Sequence, residues 1–410
     1  VIWHLGKYYP PAPGGIETHV RTLAQAQAAL GEEVGVVCVR HDGGATNREE
    51  WDGAVRVVRL GRWTQIAKLD VCPQVVSTLR RLTAAARILH LQTPNPLMVL
   101  ALRMVQPRCP WVITHQSDVL VQKLRARLLE PFDTWVYDRA LRVLATSPPY
   151  VNGSPKLRRA RAAGRLGILP NGIDLEPLIH PSAADLDHAH ALRQRWADRG
   201  PIWLGCGRFI YYKGFLNAVR ALAQTPGTLI LVGDGPDRPA IEAEARRLGV
   251  RDRLVLPGAM DYRAITPYYL ACDAFWFPSI ARTEAFGIAQ VEALAAGKPV
   301  INTAIPDSGV AWVSPHEQTG LTVPPHDPAA LAAAARRLLE EPGLAQRLGQ
   351  AARQRALSEF DHRVMARRAL EFYHPPAPSQ APTGPAPQPP LPTPRHDPPD
   401  ATPPGNASAS

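Results

Sequence analysis

The chain has 410 residues, too many for one ordinary domain and enough for two that each bury a core. Its net charge of +10, on a 45% apolar composition normal for a globular protein, suits an anionic partner such as a nucleotide sugar, a lipid phosphate or a membrane surface. The five cysteines (Cys38, Cys72, Cys109, Cys206, Cys272) are scattered, odd in number and form no CxxC, which argues against a disulfide scaffold or a zinc site; no zinc-finger, RNP-type or basic helix-turn-helix pattern points to nucleic acid.

The first half alternates short apolar strands with amphipathic helices. A strand is expected at Val1 to His4, broken by the turn-rich PPAPGG, then a helix from about Ile16 to Leu30 and strands at Val34 to Val39 and Val55 to Leu60. A helix around Val75 to Ala86 precedes strands at Ile88 to Leu91, Trp111 to Thr114 and Val143 to Ala145. Such alternation predicts a parallel sheet with helices on both faces. The stretch PLMVLALRMV is interrupted by Arg103 and falls short of a membrane span, and no signal-peptide pattern is read.

Residues 179–200, polar and rich in His, Asp and Ala, are expected to be a linker between a first domain, 1–178, and a second, 201–360. In the second, strands are predicted at Ile202 to Cys206, Thr228 to Val232, Leu254 to Leu256, Ala274 to Phe277 and Pro299 to Asn302. Helices are predicted at Arg238 to Leu248, Phe286 to Ala296, Pro328 to Leu339 and Gly343 to Phe360. A last helix, about His362 to Tyr373, is expected to cross back onto the first domain. Two doubly wound domains form a cleft where the carboxyl ends of both sheets meet. The Pro-rich stretch 375–410 reads as a disordered, polyproline-like tail; its net charge of −1 leaves +11 on the folded part.

Four constellations carry chemistry. In EAFGIAQVEALAAGKPV, Glu284 precedes a helix and Glu292 lies two turns in, so both are able to face one side; Gly287 removes bulk where free backbone N–H groups meet an anionic or hydroxyl-rich ligand. A carboxylate accepts from the paired hydroxyls of a ribose or hexose, the alternative being a surface helix with ordinary glutamates. In LGCGRFIYYKGF, Arg208 and Lys213 follow a strand end between Gly207 and Gly214, which suits a diphosphate leaving group; the alternative is a solvated cation pair. In YYPPAPGGIETH, Gly14 and Gly15 permit close backbone approach ahead of a helix, or form a plain tight turn. In VITHQSD, His115 ends a strand with Ser117 and Asp118 behind it; no GxSxG elbow supports a hydrolase triad.

Together these motifs, with LVGDGP, ACDAFWFPS and TGLTVPPHDPAAL, resemble the family 4 retaining glycosyltransferases over roughly Val1 to Tyr373. The resemblance implies a GT-B fold: α/β, two facing Rossmann-like domains with parallel sheets and an interdomain cleft. It implies that Arg208 and Lys213 hold the donor diphosphate and that Glu292 binds the nucleotide ribose. Glu284 would meet the transferred sugar, His115 would sit near it, and Gly15 would border the diphosphate and acceptor. The stretches HLQTPNPL, THQSDVLVQK, LATSPPYVNGSPKLR and INTAIPDSGVAWVS look like bacterial mannosyltransferases of O-antigen, capsule or exopolysaccharide assembly. They favour a GDP-mannose donor, a glycan or polyprenyl-diphosphate-linked acceptor, and a cytoplasmic place at the inner face of the plasma membrane. One departure is THQSD, where relatives more often carry His-Ser-Asp, so that Gln116 reads as an insertion.

No metal is expected: Asp185-Leu186-Asp187 spells DxD but falls in the expected linker. The basic residues of 119–165, including SPKLRRARAAGR, either meet anionic lipid or a lipid-diphosphate acceptor, or are a solvated face. A nucleotide-sugar 2-epimerase and a non-catalytic nucleotide-sugar-binding protein remain competing readings.

Overall fold

The computed structural model describes residues 1–12, 14–66, 69–118 and 123–375. The Pro-rich tail beyond Pro375 and residues 119–122 of the basic stretch lie outside the described residues.

The first domain holds β1 (Ile2–Leu5), β2 (Val34–Val39), β3 (Arg48–Asp52), β4 (Val55–Leu60), a small hairpin of β5 (Thr64–Ile66) and β6 (Leu69–Val71), then β7 (Ile88–Thr93), β8 (Trp111–His115), β9 (Arg142–Ala145) and β10 (Leu166–Ile168). Eight of them form one sheet in the order β10-β9-β8-β7-β1-β2-β4-β3. All neighbours are parallel except the antiparallel edge strand β3. The second domain holds β11 (Ile202–Cys206), β12 (Thr228–Val232), β13 (Leu254–Gly258), β14 (Ala274–Phe277), β15 (Val300–Thr303) and β16 (Gly320–Val323), all parallel in the order β13-β12-β11-β14-β15-β16. Central strands such as VGVVCV and TLILV are buried throughout because helices cover both sheet faces.

The order reverses beside β1 and beside β11, so each first strand ends at a switch point facing the cleft. The core of each domain lies in two layers, one on each side of its sheet.

The expected linker is instead folded. Ser182 caps a helix Ala183–Arg195 in a reciprocal capping box with Asp185, and Ala189, Leu192 and Trp196 join the second domain's core. The DxD-like Asp185 thus serves as a helix cap. The chain crosses between domains at 173 and again at 360, side by side: Ile173 N–H donates to Phe360 O and His362 N–H to Ile173 O, both at 3.0 Å. After that crossing the helix His362–Glu371 packs Met365, Ala366 and Ala369, with Tyr373 beyond it, into the first domain's core against helix Gly15–Ala29.

A buried polar chain fastens this return. His4 Nε2 reaches Gln27 Oε1 at 2.8 Å, Gln27 Nε2 donates to the Tyr373 hydroxyl at 2.9 Å, and that hydroxyl meets His90 Nδ1 at 2.7 Å. Burial pulls His4 down to about 4 and His19, whose ring nitrogens have no partner among the described residues, to about 3; His90 is held well below its ordinary range.

Candidate active site

The site is built at the carboxyl ends of β11 and β14. Cys206 ends β11, Gly207 turns the chain, and a 3₁₀ turn Tyr211–Lys213 precedes helix Phe215–Leu222. Gly214 links turn to helix at φ 68°, and a Cβ there would lie 2.0 Å from Pro278 O. Only glycine permits both that conformation and that approach. The contact, with Ile280 N–H donating to Tyr212 O at 2.8 Å, presses the Lys213 turn onto the loop that carries Glu284.

Lys213 Nζ lies 2.5 Å from Glu284 Oε2, and 15% and 11% of the two side chains are exposed. Burial alone would lower the Lys213 ammonium, but the Glu284 carboxylate outweighs it and the net shift is upward. The stem of Lys213 runs past Gly207, where an added Cβ would touch Lys213 Cε at 3.4 Å. Arg208 is exposed, has no ion pair among the described residues, and stands near enough to Tyr212 for its charge to act on that phenol.

The helix after the loop begins at Ile288 rather than near Phe286, with Gly287 as its left-handed N-cap at φ 83°. Glu284 therefore lies in the loop, and the two glutamates share no helix face. They are brought together through Lys213, whose charge also bears on Glu292. Glu292 accepts a short hydrogen bond from Tyr269. Burial pushes the Glu292 carboxyl up to about 7, against the lowering effects of Tyr269 and Lys213. Tyr262 and Cys206 sit beside it, the thiol raised to about 12 by burial and then by the Glu292 charge. At the start of helix Ile288–Ala295 the N–H of Gln290 is taken by Gly287 O, which leaves those of Ile288 and Ala289 without an intrahelical acceptor. Gly15 faces this helix start from the other domain: a Cβ on it would lie 3.9 Å from Ile288 Cδ1.

His115 is placed differently from Lys213 and Glu284. It is buried, with Nδ1 at 2.7 Å from the Tyr137 hydroxyl and Nε2 at 3.0 Å from Asp118 Oδ1. Both ring nitrogens are engaged, so this geometry leaves none for a sugar. Asp118 in turn pairs with Arg282 of the second domain at 2.8 Å. Burial would raise Asp118, but hydrogen bonds from His115, Arg282 and Ser154 hold it well below the usual carboxylate range. Gln116 is built into the sheet end: its N–H continues the ladder to Thr93 O at 3.0 Å, and its amide donates to Gln92 Oε1 at 3.2 Å.

Of the basic cluster, Lys156 pairs with Asp133 and Arg159 with Asp138, both at 2.6 Å, while Arg165 donates to Tyr137 O. All three have partners within the fold, while the Lys156 side chain stays partly exposed and that of Arg159 exposed at the surface. Sequence reasoning passed over Tyr269, Tyr137 and Arg282. Only Arg282, two residues before Glu284, carried a local signal.

Two facing Rossmann-like domains, with a lysine–glutamate pair and an exposed arginine at the cleft end of β11, define a GT-B glycosyltransferase. Residues 13–177 match the model "Glycosyltransferase Family 4", and residues 192–355 match "Glycosyl transferases group 1". The D-rhamnosyltransferase WbpZ of Pseudomonas aeruginosa is 30% identical over 348 residues, 85% of this chain and 88% of that protein. O-antigen chain mannosyltransferase C of Escherichia coli is 26% identical over 370 residues, 89% of this chain and 96% of that one. Among solved structures, sucrose-phosphate synthase from Thermosynechococcus elongatus superposes with a TM-score of 0.72 at 27% identity, over 91% of this chain and 98% of that one. The chain belongs to the family 4 glycosyltransferases.

Proposed function

We propose that this enzyme transfers a hexose, mannose favoured and GDP-mannose as donor, to a glycan or polyprenyl-diphosphate-linked acceptor in the assembly of a cell-surface polysaccharide, with retention at the anomeric carbon. The observation that carries the reading is the Lys213–Glu284 pair beside Arg208 at the cleft end of β11, two cations that suit a departing nucleoside diphosphate. As the glycosidic bond breaks, negative charge grows on the leaving phosphate, and fixed cations there lower the barrier. Glu284 stands next to that charge, at the sugar; Glu292, deeper along the helix, suits the ribose hydroxyls. The leaving diphosphate itself serves as base on the face where the acceptor hydroxyl arrives.

D-rhamnose is the second reading, favoured by the identity to WbpZ. It is 6-deoxymannose, so both readings ask for one ring configuration and differ at a single hydroxyl. No helix among the described residues is long and apolar enough to cross a membrane. We place the enzyme in the cytoplasm, against the inner membrane face through residues 119–165, where its acceptor would be held. The test is release of GDP from GDP-mannose and GDP-D-rhamnose with a lipid-linked acceptor in the presence of EDTA. Turnover with either manno-configured donor supports the reading. Turnover only with gluco- or galacto-configured donors overturns the donor assignment, and activity lost to EDTA and regained with magnesium overturns the metal-free mechanism.

A further inference from the structure

We propose that Arg282 is a positioning residue that seats Glu284 by clasping the second domain onto the Asp118–His115 pair of the first. Arg282 lies on the loop between β14 and helix Ile288–Ala295, and its side chain leaves its own domain. Its Nη1 sits 2.8 Å from Asp118 Oδ2, its Nη2 donates to Tyr150 O at 3.3 Å, and its guanidinium lies 4.2 Å from the Tyr150 ring centroid. Its Nε donates to Asp307 O at 3.0 Å, which aims the fork across the cleft.

The receiving surface is shaped for it. A Cβ on Gly153 would lie 2.4 Å from Arg282 Nε and 2.8 Å from Asp307 Cβ, so any larger residue there would push the arginine away. Asp118 is itself fixed from three sides: Oδ1 takes His115 Nε2 at 3.0 Å and Ser154 Oγ at 2.9 Å, and its N–H donates to the Tyr150 hydroxyl at 2.9 Å. The ion pair is largely enclosed, with 17% and 16% of the side chains exposed, so cleft water screens it weakly.

The link to the reacting end is short. Glu284 N–H donates to Ala281 O at 2.9 Å, closing a turn around Arg282. Beyond it, Ser308 Oγ donates to Glu284 O and Gly309 N–H to Ala285 O. The loop is thus held between the first domain on one side and the 308–309 segment on the other. When the domains part, Asp118 loses its cation and the Glu284 loop loses its support from the first domain, leaving only the contacts within the second domain to hold the register of the Lys213–Glu284 pair. His115 acts through Asp118, which accounts for a strand-end histidine with both nitrogens committed.

The inference rests on the transferase reading of the cleft. The experiment compares the full chain with Arg282→Ala, Arg282→Lys, Asp118→Asn and the double variant Arg282→Ala/Asp118→Asn. It measures kcat, donor KM, GDP affinity by calorimetry, and melting temperature. A misplaced reacting group costs about tenfold or more in rate. Arg282→Ala and Asp118→Asn are each expected to lower kcat by that factor with GDP affinity within about twofold. Arg282→Lys should recover part of the rate, and the double variant should be no slower than the slower single one. Rate losses that multiply in the double variant would overturn the clasp, as would kcat unchanged once corrected for the folded fraction. No turnover by the wild-type chain with any donor would sink the transferase reading instead. The clasp would then be decided by the distance distribution between spin labels on the two domains, which Arg282→Ala must broaden for the inference to stand.

Discussion

Replacing Lys213 with methionine keeps an unbranched stem out to Cε and deletes the ammonium, which separates stability from catalysis. The Nζ–Oε2 distance to Glu284 is 2.5 Å and only 15% and 11% of the side chains are exposed, so the deletion strands a carboxylate with little water around it. Removing one partner of a fully buried pair costs about 3–5 kcal/mol; residual access to the cleft lowers the expectation to about 2–3 kcal/mol. At about 2–4 °C per kcal/mol, Tm should fall by about 5–10 °C. Arg208→Ala removes an exposed cation with no ion pair among the described residues and should leave Tm unchanged. Under the proposed assignment each variant removes a charge that stabilises the leaving diphosphate, so both should lose about 100-fold or more in kcat. Lys213→Met/Glu284→Gln should recover most of the melting temperature, because no buried charge is left unpaired, yet recover no turnover. Scanning calorimetry and steady-state nucleotide release check both. A Lys213→Met protein that melts with wild type and turns over within a few-fold of it would refute the reasoning.

Burial pushes the Glu292 carboxyl up to about 7, and under the proposed assignment its ionised form accepts the ribose hydroxyls. Donor KM should therefore fall as pH rises through about 7, and Glu292→Gln should raise KM and flatten that profile with little change in kcat. Glu284→Gln should instead lower kcat; a change in donor KM alone would remove Glu284 from the reacting sugar. The buried histidines set an acid limit: their folded-state pKa values lie below 6.5, so the unfolded chain binds more protons and stability falls as pH drops from 6.5 toward about 4, by about 3 kcal/mol for His4 alone. Glu292 acts with the opposite sign between about 4.5 and 7, and the three imidazoles outweigh it; His19→Leu should lessen the loss of Tm measured between pH 7 and pH 5. Truncation after Pro375 should leave Tm and transfer unchanged, whereas Tyr373→Phe, which takes the partner from Gln27 Nε2 and His90 Nδ1, should cost about 1–3 kcal/mol in denaturant unfolding.

The central strands were legible because parallel strands buried on both faces read as unbroken apolar runs, as in VGVVCV and TLILV. The edge strand Arg48–Asp52, REEWD, was not: it is largely exposed, carries charge, and pairs only because β4 offers it an open edge. The helix Ala183–Arg195 was hidden by a polar surface, although its Ser-x-x-Asp cap was written in the chain. In the site, the residues that stand in strand-end motifs were legible, since chemistry and turn geometry share a short window there. Their partners were not. Tyr269 reaches Glu292 from 23 residues away and Arg282 reaches Asp118 from 164, and no local spacing encodes such pairings.

The most direct test of the account is the product itself. Purified chain, GDP-mannose and a lipid-linked oligosaccharide acceptor are incubated together, and the new glycosidic linkage is assigned from its one-bond carbon–proton coupling by NMR, with GDP release followed in parallel. Retaining transfer releases one GDP per sugar transferred and gives a product that keeps the donor's α configuration. A β-linked product, or an isomerised donor formed without acceptor, would contradict it.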